Sequence, residues 1–348
     1  MIFDFKKLRR EDIEKLILEK NMNIASADML FEVCFASKDY DFSKEHYISS
    51  VAEFLELNLD DSEDKYFFET RIKPSIKKIE KEKYEDNYFR KNIVPLPFKG
   101  NGYELGYLTI KPYQCLPYDD IEVKDNFIEV SRIGYFDKPF EYLVVNKGDV
   151  TWMSTDPNEI NTMQTDIDDS HGDVLTFGLG LGYFPIMCAI KDNVRSVTII
   201  EKDPEIINIF KKHILPLFSY KEKIHIIQDD AFNFVRKDLS KYDYLFIDIW
   251  HNPEDGLPMY LKFKELLKNK NIEVRYWLEK SLLAMLRRCL LSVFEEQLSG
   301  SAEKDYMDDK DEYDRIINKL YFQTKNMKFS SIDDVKEILQ DKGLLNLI

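Results

Sequence analysis

The apolar residues of this chain follow two different spacings, which divide the sequence into regions. In the region 165–280, short apolar runs recur at 174–177, 197–200, 223–227, 244–248 and 272–276. Each run has the length of a buried strand, and segments compatible with helices separate the runs. Strands that alternate with helices predict an α/β fold, in which a Rossmann-like parallel sheet carries helices on both faces.

The regions before this sheet follow other patterns. Residues 1–95 place apolar side chains at helical spacing and predict a helical region, with a charged helix over 72–88 that breaks near Pro74. Residues 96–164 contain short β-like runs separated by proline, asparagine and glycine. These runs predict a small antiparallel, β-rich region.

The region after the sheet, residues 281–348, predicts helices alone. The segment 277–294 is strongly apolar, which favours a core helix, with a homo-oligomer interface as the alternative. The acidic segment 299–314 is predicted to be exposed.

Composition limits the classes of protein to consider. Of the 348 residues, 44% are hydrophobic, which excludes wholesale disorder, and the net charge of −15 argues against nucleic acid or an anionic membrane as a partner. The four cysteines form no C-x-x-C pair and the histidines show no ligand spacing, so no metal site is predicted. Because the N-terminus lacks a signal-like core and no apolar run approaches ~20 residues, we expect a soluble, cytoplasmic protein.

The strongest chemical signal is the run of glycines at the end of the first predicted parallel strand. Gly178, Gly180 and Gly182 give the spacing G-x-G-x-G, and Glu201 closes the second strand. Such a turn brings a ligand close to backbone N–H groups, and an acid at the second strand end is placed to bind ribose hydroxyls. Tyr183 stands where a dinucleotide fingerprint needs its third glycine, which disfavours a nicotinamide dehydrogenase, and the absence of G-K-[ST] excludes a P-loop.

With these motifs, the segment 173–251 resembles the class I S-adenosylmethionine-dependent methyltransferases, and within them the spermidine-synthase-like branch; 140–172 resembles it more weakly. The resemblance implies S-adenosyl-L-methionine as cofactor. It implies that the glycine turn contacts the methionine part, that Glu201 binds the ribose, that an Asp-Ala step contacts adenine and that an acid lies near the reacting centre. The implied cofactor residues are Gly178, Leu179, Gly180, Gly182, Glu201, Asp230, Ala231 and Asp248.

Candidate catalytic and acceptor residues lie beside these positions. Asp248 and His251 follow the fourth strand and are candidates for a general base, since imidazole titrates near neutral pH. The resemblance places Trp152, Met153 and Glu159 on the acceptor side of the pocket, and Trp250 is a further candidate for its wall. Simpler interpretations are a solvated strand end for Glu201, a helix cap for Asp230, a loop histidine for His251 and core packing for Trp250.

Two departures from the spermidine synthase pattern decide the preferred function. Leu181 stands where those enzymes carry an aspartate that helps to hold the decarboxylated cofactor, and Asp248 alone clearly matches their D-S-x-D-P motif. The sequence therefore predicts a methyltransferase that acts on an unidentified, small-molecule or other acceptor. The alternatives are an aminopropyltransferase that uses decarboxylated S-adenosylmethionine and a non-catalytic binding module. The sequence leaves open whether the C-terminal helices replace the last strands usual in this fold.

Overall fold

The computed structural model describes residues 2–39, 42, 46–300 and 311–348. Its N-terminal region is mainly helical, as predicted, but the charged helix expected over 72–88 is absent. After Pro74 the chain becomes extended at Ile76–Lys78, where it pairs with a distant strand at Ile133–Tyr135, and a helix resumes only at Lys81–Glu85. The elements are β1 (Ile2–Phe3), α1 (Arg10–Ala36), α2 (Tyr47–Phe54), α3 (Ser62–Phe67), β2 (Ile76–Lys78), α4 (Lys81–Glu85) and α5 (Tyr88–Asn92).

The next region is rich in β-structure and contains the predicted antiparallel pairing. Its strands are β3 (Phe98–Gly100), β4 (Tyr103–Ile110), β5 (Leu116–Pro117), β6 (Glu122–Val123), β7 (Glu129–Val130), β8 (Ile133–Tyr135), β9 (Phe140–Lys147) and β10 (Val150–Ser154). Four of them form an antiparallel sheet in the order β10-β9-β4-β3, while β8 pairs with β5 and, in parallel, with β2. The register of β10 shifts between Thr151 and Met153, so Trp152 is the extra residue of a β-bulge.

A five-stranded parallel sheet follows, in the spatial order β13-β12-β11-β14-β15. The order confirms the predicted mixed α/β architecture and reverses direction between β11 and β14, where parallel sheets bind ligands. Asp203 caps α8 with Pro204 at its first position. The elements are α6 (Pro157–Asp169), β11 (Gly172–Phe177), α7 (Tyr183–Ala189), β12 (Val194–Glu201), α8 (Pro204–Ile209), β13 (Ile224–Gln228), α9 (Ala231–Phe234), β14 (Tyr244–Ile247), α10 (Pro253–Leu267) and β15 (Glu273–Tyr276).

The C-terminal region is helical except for one short strand. Its elements are α11 (Glu279–Ser299), α12 (Glu312–Thr324), β16 (Lys328–Phe329), α13 (Ile332–Leu339) and α14 (Asp341–Leu345). The expectation of helices alone was wrong, since β16 pairs in parallel with β1. Within the described ranges no strand extends the sheet beyond β15. Most of the acidic segment predicted to be exposed, 301–310, lies outside the described residues.

Helix α11 is a core helix, as the sequence favoured. Leu282, Leu286, Leu290 and Phe294 recur at one-turn spacing and are fully buried. They belong to a hydrophobic core that also includes the parallel sheet and the antiparallel β-strands. No helix of the described chain is both long and apolar enough to cross a bilayer.

The turn after β11 depends on a glycine that tolerates no side chain. Gly178 has a φ of +97°, and a Cβ built on it would lie 1.9 Å from the carbonyl oxygen of Asp248. This contact brings the end of β11 against the end of β14, where the sheet order reverses. The close approach therefore creates the edge at which the candidate site lies.

We expect Gly178→Ala to lower the free energy of unfolding by about 3–5 kcal/mol, because it adds a clash with backbone to an unfavourable φ. Gly180→Ala is the matched control: Gly180 has a φ of +53° and open space on its Cβ side. Its cost should be backbone strain alone, about 1 kcal/mol. Urea unfolding of both variants measures the difference, and equal losses would contradict this account of the turn.

Candidate functional site

A cavity of about 400 Å³ opens at the carboxyl ends of β11, β12 and β14 and is closed on one side by β10 and α6. Its size falls within the range of small-ligand sites. The sheet topology thus brings together nearly all the candidate residues from distant parts of the sequence. Those on its wall are Trp152, Met153, Glu159, Gly178, Leu179, Gly180, Glu201, Asp230, Ala231, Asp248, Trp250 and His251.

Gly182 is the one predicted cofactor residue that does not line the cavity. It occupies the N-cap of α7 with a φ of +80°, and a Cβ there would lie 2.1 Å from the Phe210 ring. Its N–H donates to the Leu179 carbonyl at 2.9 Å, which closes the turn. Gly182 thus supports the glycine turn (residues 178–182) from behind, while Gly180 faces open space.

Glu201 holds this turn against the end of β12. Its side chain is buried, so the solvated strand end considered from the sequence is not observed. One carboxylate oxygen accepts the Leu179 N–H at 3.1 Å and the other accepts the Asp203 N–H at 2.8 Å. Each oxygen retains a lone pair for a further donor. The carboxylate thus orders the turn, and its binding of ribose hydroxyls stays a prediction.

The Asp229-Asp230 pair ends the next strand. Asp230 caps α9 by accepting the Asn233 N–H at 3.2 Å, as the simpler interpretation expects. Asp229 forms an ion pair with Lys237 at 2.6 Å. Both residues also line the cavity together with Ala231. The structure therefore shows a capping role for Asp230, and contact of Asp230 with adenine remains a prediction.

Two carboxylates in the cavity wall, Glu159 and Asp248, accept no hydrogen bond from any residue that the structure describes. Burial, and then the negative charges of Asp248 and Asp156, raise the pKa of Glu159 well above its usual value. Burial, and then the charge of Glu201, raise the pKa of Asp248 to about 7. The two acids are therefore clustered and unneutralised, which costs free energy that a bound cation recovers.

The charge of the whole cavity wall has one dominant sign. Among the described residues, the cavity wall contains one lysine, Lys202, and no arginine. The carboxylates of the wall are Glu159, Glu201, Asp203, Asp229, Asp230 and Asp248. Walls of one sign concentrate ligands of the opposite sign, so this cavity favours a cation.

Aromatic side chains enclose the cavity between the two sheets. The bulge in β10 places Trp152 on its wall, where the Trp152 and His251 rings meet edge to face at a centroid distance of 4.5 Å. Lys147 lies over the same indole at 4.8 Å. Trp250 is buried and packs on Gly256, so the packing role expected for it is present even though it lines the cavity.

Sequence reasoning missed Asp255, which contacts His251. His251 Nδ1 lies 2.9 Å from Asp255 Oδ2, and Asp255 also forms a capping box with Asn252 at the start of α10. The N-x-x-D spacing before an apolar helix is a capping signal, and it could have placed Asp255 beside the histidine.

The chain was also compared with known proteins. No protein-family model matches it, and no curated protein does. A spermidine synthase from Thermotoga maritima is similar at a TM-score of 0.30 and 14% identity, over 42% of this chain and 59% of that chain. A spermidine synthase in complex with the transition-state analogue AdoDATO gives a TM-score of 0.30 and 14% identity, over 42% and 58%. This chain thus spans less than two thirds of either enzyme.

The raised pKa of Asp248 predicts a specific dependence of stability on pH. The folded protein holds the Asp248 proton up to about pH 7, whereas the unfolded chain releases it near 3.8. Asp248 therefore lowers stability progressively as pH rises from about 4 to 7. Asp248→Asn removes this loss, and we expect the variant to gain about 1–3 kcal/mol relative to the wild type between pH 4 and pH 8.

Urea unfolding at these two pH values measures the effect, and Asp229→Asn is the control of opposite sign. The ion pair with Lys237 lowers the pKa of Asp229, so its ionised form stabilises the fold above its usual pKa. That variant should lose stability at pH 8 and not gain it. A pH-independent difference between Asp248→Asn and the wild type would refute the proposed cause.

Proposed function

We propose that this protein binds an S-adenosyl sulfonium donor in the cavity and transfers an alkyl group from it to an amine. The acidic wall favours the decarboxylated donor and hence aminopropyl transfer. One observation carries the proposal: Glu159 and Asp248, two partly buried carboxylates without an ion-pair partner among the described residues, share a cavity with an open glycine turn.

The residues of the sheet edge fit the donor. The space beside Gly180 lets a ligand approach the backbone of the turn, and the free lone pairs of Glu201 suit ribose hydroxyls. Asp230 and Ala231 lie farther along the same wall, where they would hold the adenine. When bound, such a donor supplies a carbon on positively charged sulfur that a nucleophile displaces. The residues of the chain then align the nucleophile with that carbon.

Glu159 and Asp248 would hold the acceptor. An aliphatic amine is an ammonium at neutral pH, and an opposite charge nearby lowers the pKa of a carboxyl group. Binding of the cation thus returns both acids to the ionised state. Trp152 and Trp250 provide apolar wall for the methylene groups between the charges.

Charge also distinguishes between donors. S-adenosylmethionine carries a carboxylate, and among the described residues the cavity wall offers it one lysine, Lys202, against six carboxylates. The decarboxylated donor lacks that negative group and keeps both positive charges. We therefore expect the acidic wall to favour the decarboxylated form.

Methyl transfer from S-adenosylmethionine is the second candidate, and Leu181 favours it. Leu181 is buried in the wall of the cavity at the position where, by resemblance, spermidine synthases carry an aspartate for the decarboxylated donor. An apolar side chain there removes one contact to an amino group. Aminopropyl transfer and methyl transfer require the same fold and differ in the donor that is bound and the product that is formed.

Calorimetric titration separates the candidates. The wild-type protein is titrated with decarboxylated S-adenosylmethionine, S-adenosylmethionine and S-adenosylhomocysteine, and we expect at least about tenfold tighter binding of the decarboxylated form. Gly180→Asn fills the open side of the turn with a residue that tolerates positive φ, and binding should weaken at least about 100-fold. Gly148→Asn is the control, since Gly148 also has positive φ and open space but does not line the cavity.

Mass spectrometry of reactions with diamines such as putrescine then identifies the product. Tighter binding of S-adenosylmethionine, with methylated product, would move the assignment to methyl transfer. If the wild type bound none of the three compounds, the proposed donor site would be wrong.

Glu159→Gln should weaken binding of the amine acceptor. The substitution keeps the shape of the side chain but removes a charge that faces the ammonium, so KM for a diamine should rise about 10–100-fold while donor affinity stays within about twofold. Glu265→Gln on the exposed side of α10 is the matched control and should leave both values unchanged. An unchanged KM in Glu159→Gln would remove this residue from the acceptor site.

A further inference from the structure

The end of the loop between β14 and α10 and the first turn of α10 form an ordered histidine–aspartate pair, whose His251 lines the cavity. Asp255 Oδ2 lies 2.9 Å from His251 Nδ1, and Oδ1 accepts the backbone N–H groups of His251 and Asn252, each at 3.0 Å. The Asn252 side chain accepts the Asp255 N–H at 3.0 Å in return. These bonds fix the carboxylate and, through it, the orientation of the imidazole.

This arrangement selects one tautomer of the neutral ring. A carboxylate accepts hydrogen bonds, so Nδ1 carries the proton and Nε2 keeps its lone pair. Among the described residues no side chain or backbone group bonds to Nε2. His251 lines the cavity, and its ring edge against Trp152 limits its rotation. A lone pair on an oriented nitrogen is therefore available to a ligand in the cavity.

The proposed reaction needs such a group. An ammonium has no lone pair, so the attacking nitrogen must lose a proton before it can form a bond to carbon. Glu159 and Asp248 hold the positive acceptor best when both are ionised. If a different residue accepts the proton, both carboxylates can stay ionised and hold the acceptor.

We propose that His251 Nε2 takes the proton from the attacking nitrogen of the amine and that Asp255 is the positioning residue for His251. The inference rests on the proposed function and assigns this step to a residue pair at the N-terminus of α10. It holds for aminopropyl and methyl transfer alike, since both begin from an ammonium.

The step balances in atoms and charge. The ammonium gives one proton to Nε2, which makes His251 an imidazolium and leaves a neutral amine. The amine lone pair forms the new carbon–nitrogen bond, the carbon–sulfur bond breaks, and its electron pair stays on sulfur as a neutral thioether. The product is a secondary ammonium, and the imidazolium returns its proton to water.

Charged and titratable groups surround His251 on several elements. Asp255 and Glu254 lie in the first turn of α10, and Asp248 precedes His251 in the same loop. Lys147 on β9 lies over the Trp152 indole that His251 contacts. Tyr313 on α12 donates to the Glu254 carbonyl at 2.8 Å. The charges of these groups therefore contribute to the dependence of kcat on pH that we attribute to His251.

The kinetic test measures kcat and KM against pH for the wild type, His251→Gln, Asp255→Asn and Asn252→Ala. We expect His251→Gln to lower kcat about 10²–10⁴-fold with little change in KM, and to remove the acid limb of the profile. Asp255→Asn should lower kcat at least about tenfold. Asn252→Ala is the matched control, because it weakens the same helix cap but leaves the bond from Asp255 to the ring.

Nuclear magnetic resonance of the free protein gives a readout that does not depend on turnover. Long-range ¹H–¹⁵N spectra distinguish the histidine tautomers, and the spectrum of His251→Gln assigns the His251 signals. We expect the Nδ1–H tautomer in the wild type and in Asn252→Ala, and a changed tautomer population in Asp255→Asn. His171→Gln, a substitution of an exposed histidine, should leave the His251 signals unchanged.

The outcomes separate this inference from the proposed function. If the wild type transfers an alkyl group but His251→Gln keeps kcat within about twofold, the base assignment is wrong and the function stands. If Asp255→Asn and Asn252→Ala lose the same activity and share the wild-type tautomer, Asp255 acts only as a helix cap. If the wild type fails to transfer to any amine, the proposed function is overturned and the role of His251 with it.

Discussion

The contact between Gly178 and the Asp248 carbonyl is the constraint on which the rest of the site depends. It joins the ends of β11 and β14 without space for a Cβ atom, so the two neighbouring loops diverge around a shared edge. The glycine turn, held by Glu201, forms one side of the resulting cavity. The loop that carries Asp248, Trp250 and His251 forms another.

The electrostatics of the cavity oppose stability. Glu159 and Asp248 are partly buried near other acids and form no ion pair with any described residue, and loss of contact with water is the larger cause of both raised pKa values. In contrast, two buried cations elsewhere in the protein are paired: Arg287 with Asp341 and Lys20 with Glu295. This difference supports the proposal that the two acids bind a cationic ligand, since a purely structural role would favour pairing or apolar replacement.

The sequence predicted the parallel sheet well because each strand is a short apolar run bounded by turn residues, and those signals are local. Most of the candidate site residues named from the sequence line the cavity, whereas Gly182 lies behind the turn, and their roles stay predictions. It could not predict the pairing of β2 with β8 or β16 with β1, because short strands form only where distant partners meet them. The bond from Asp255 to His251 is local in sequence, but its importance depends on a cavity that only the tertiary fold creates.

The β9–β10 hairpin and helix α6 are consecutive in the chain, and between them they contribute Trp152, Met153 and Glu159 to the cavity. The glycine turn, Glu201 and the loop after β14 all come from the later segment that builds the parallel sheet. One face of the cavity is therefore encoded by a single continuous stretch of sequence before β11, and the opposite face by the stretch after it. Substitutions at the cavity ends of the hairpin and helix would therefore alter one face of the site and leave the glycine turn unchanged, whereas their apolar residues belong to the same core as the parallel sheet.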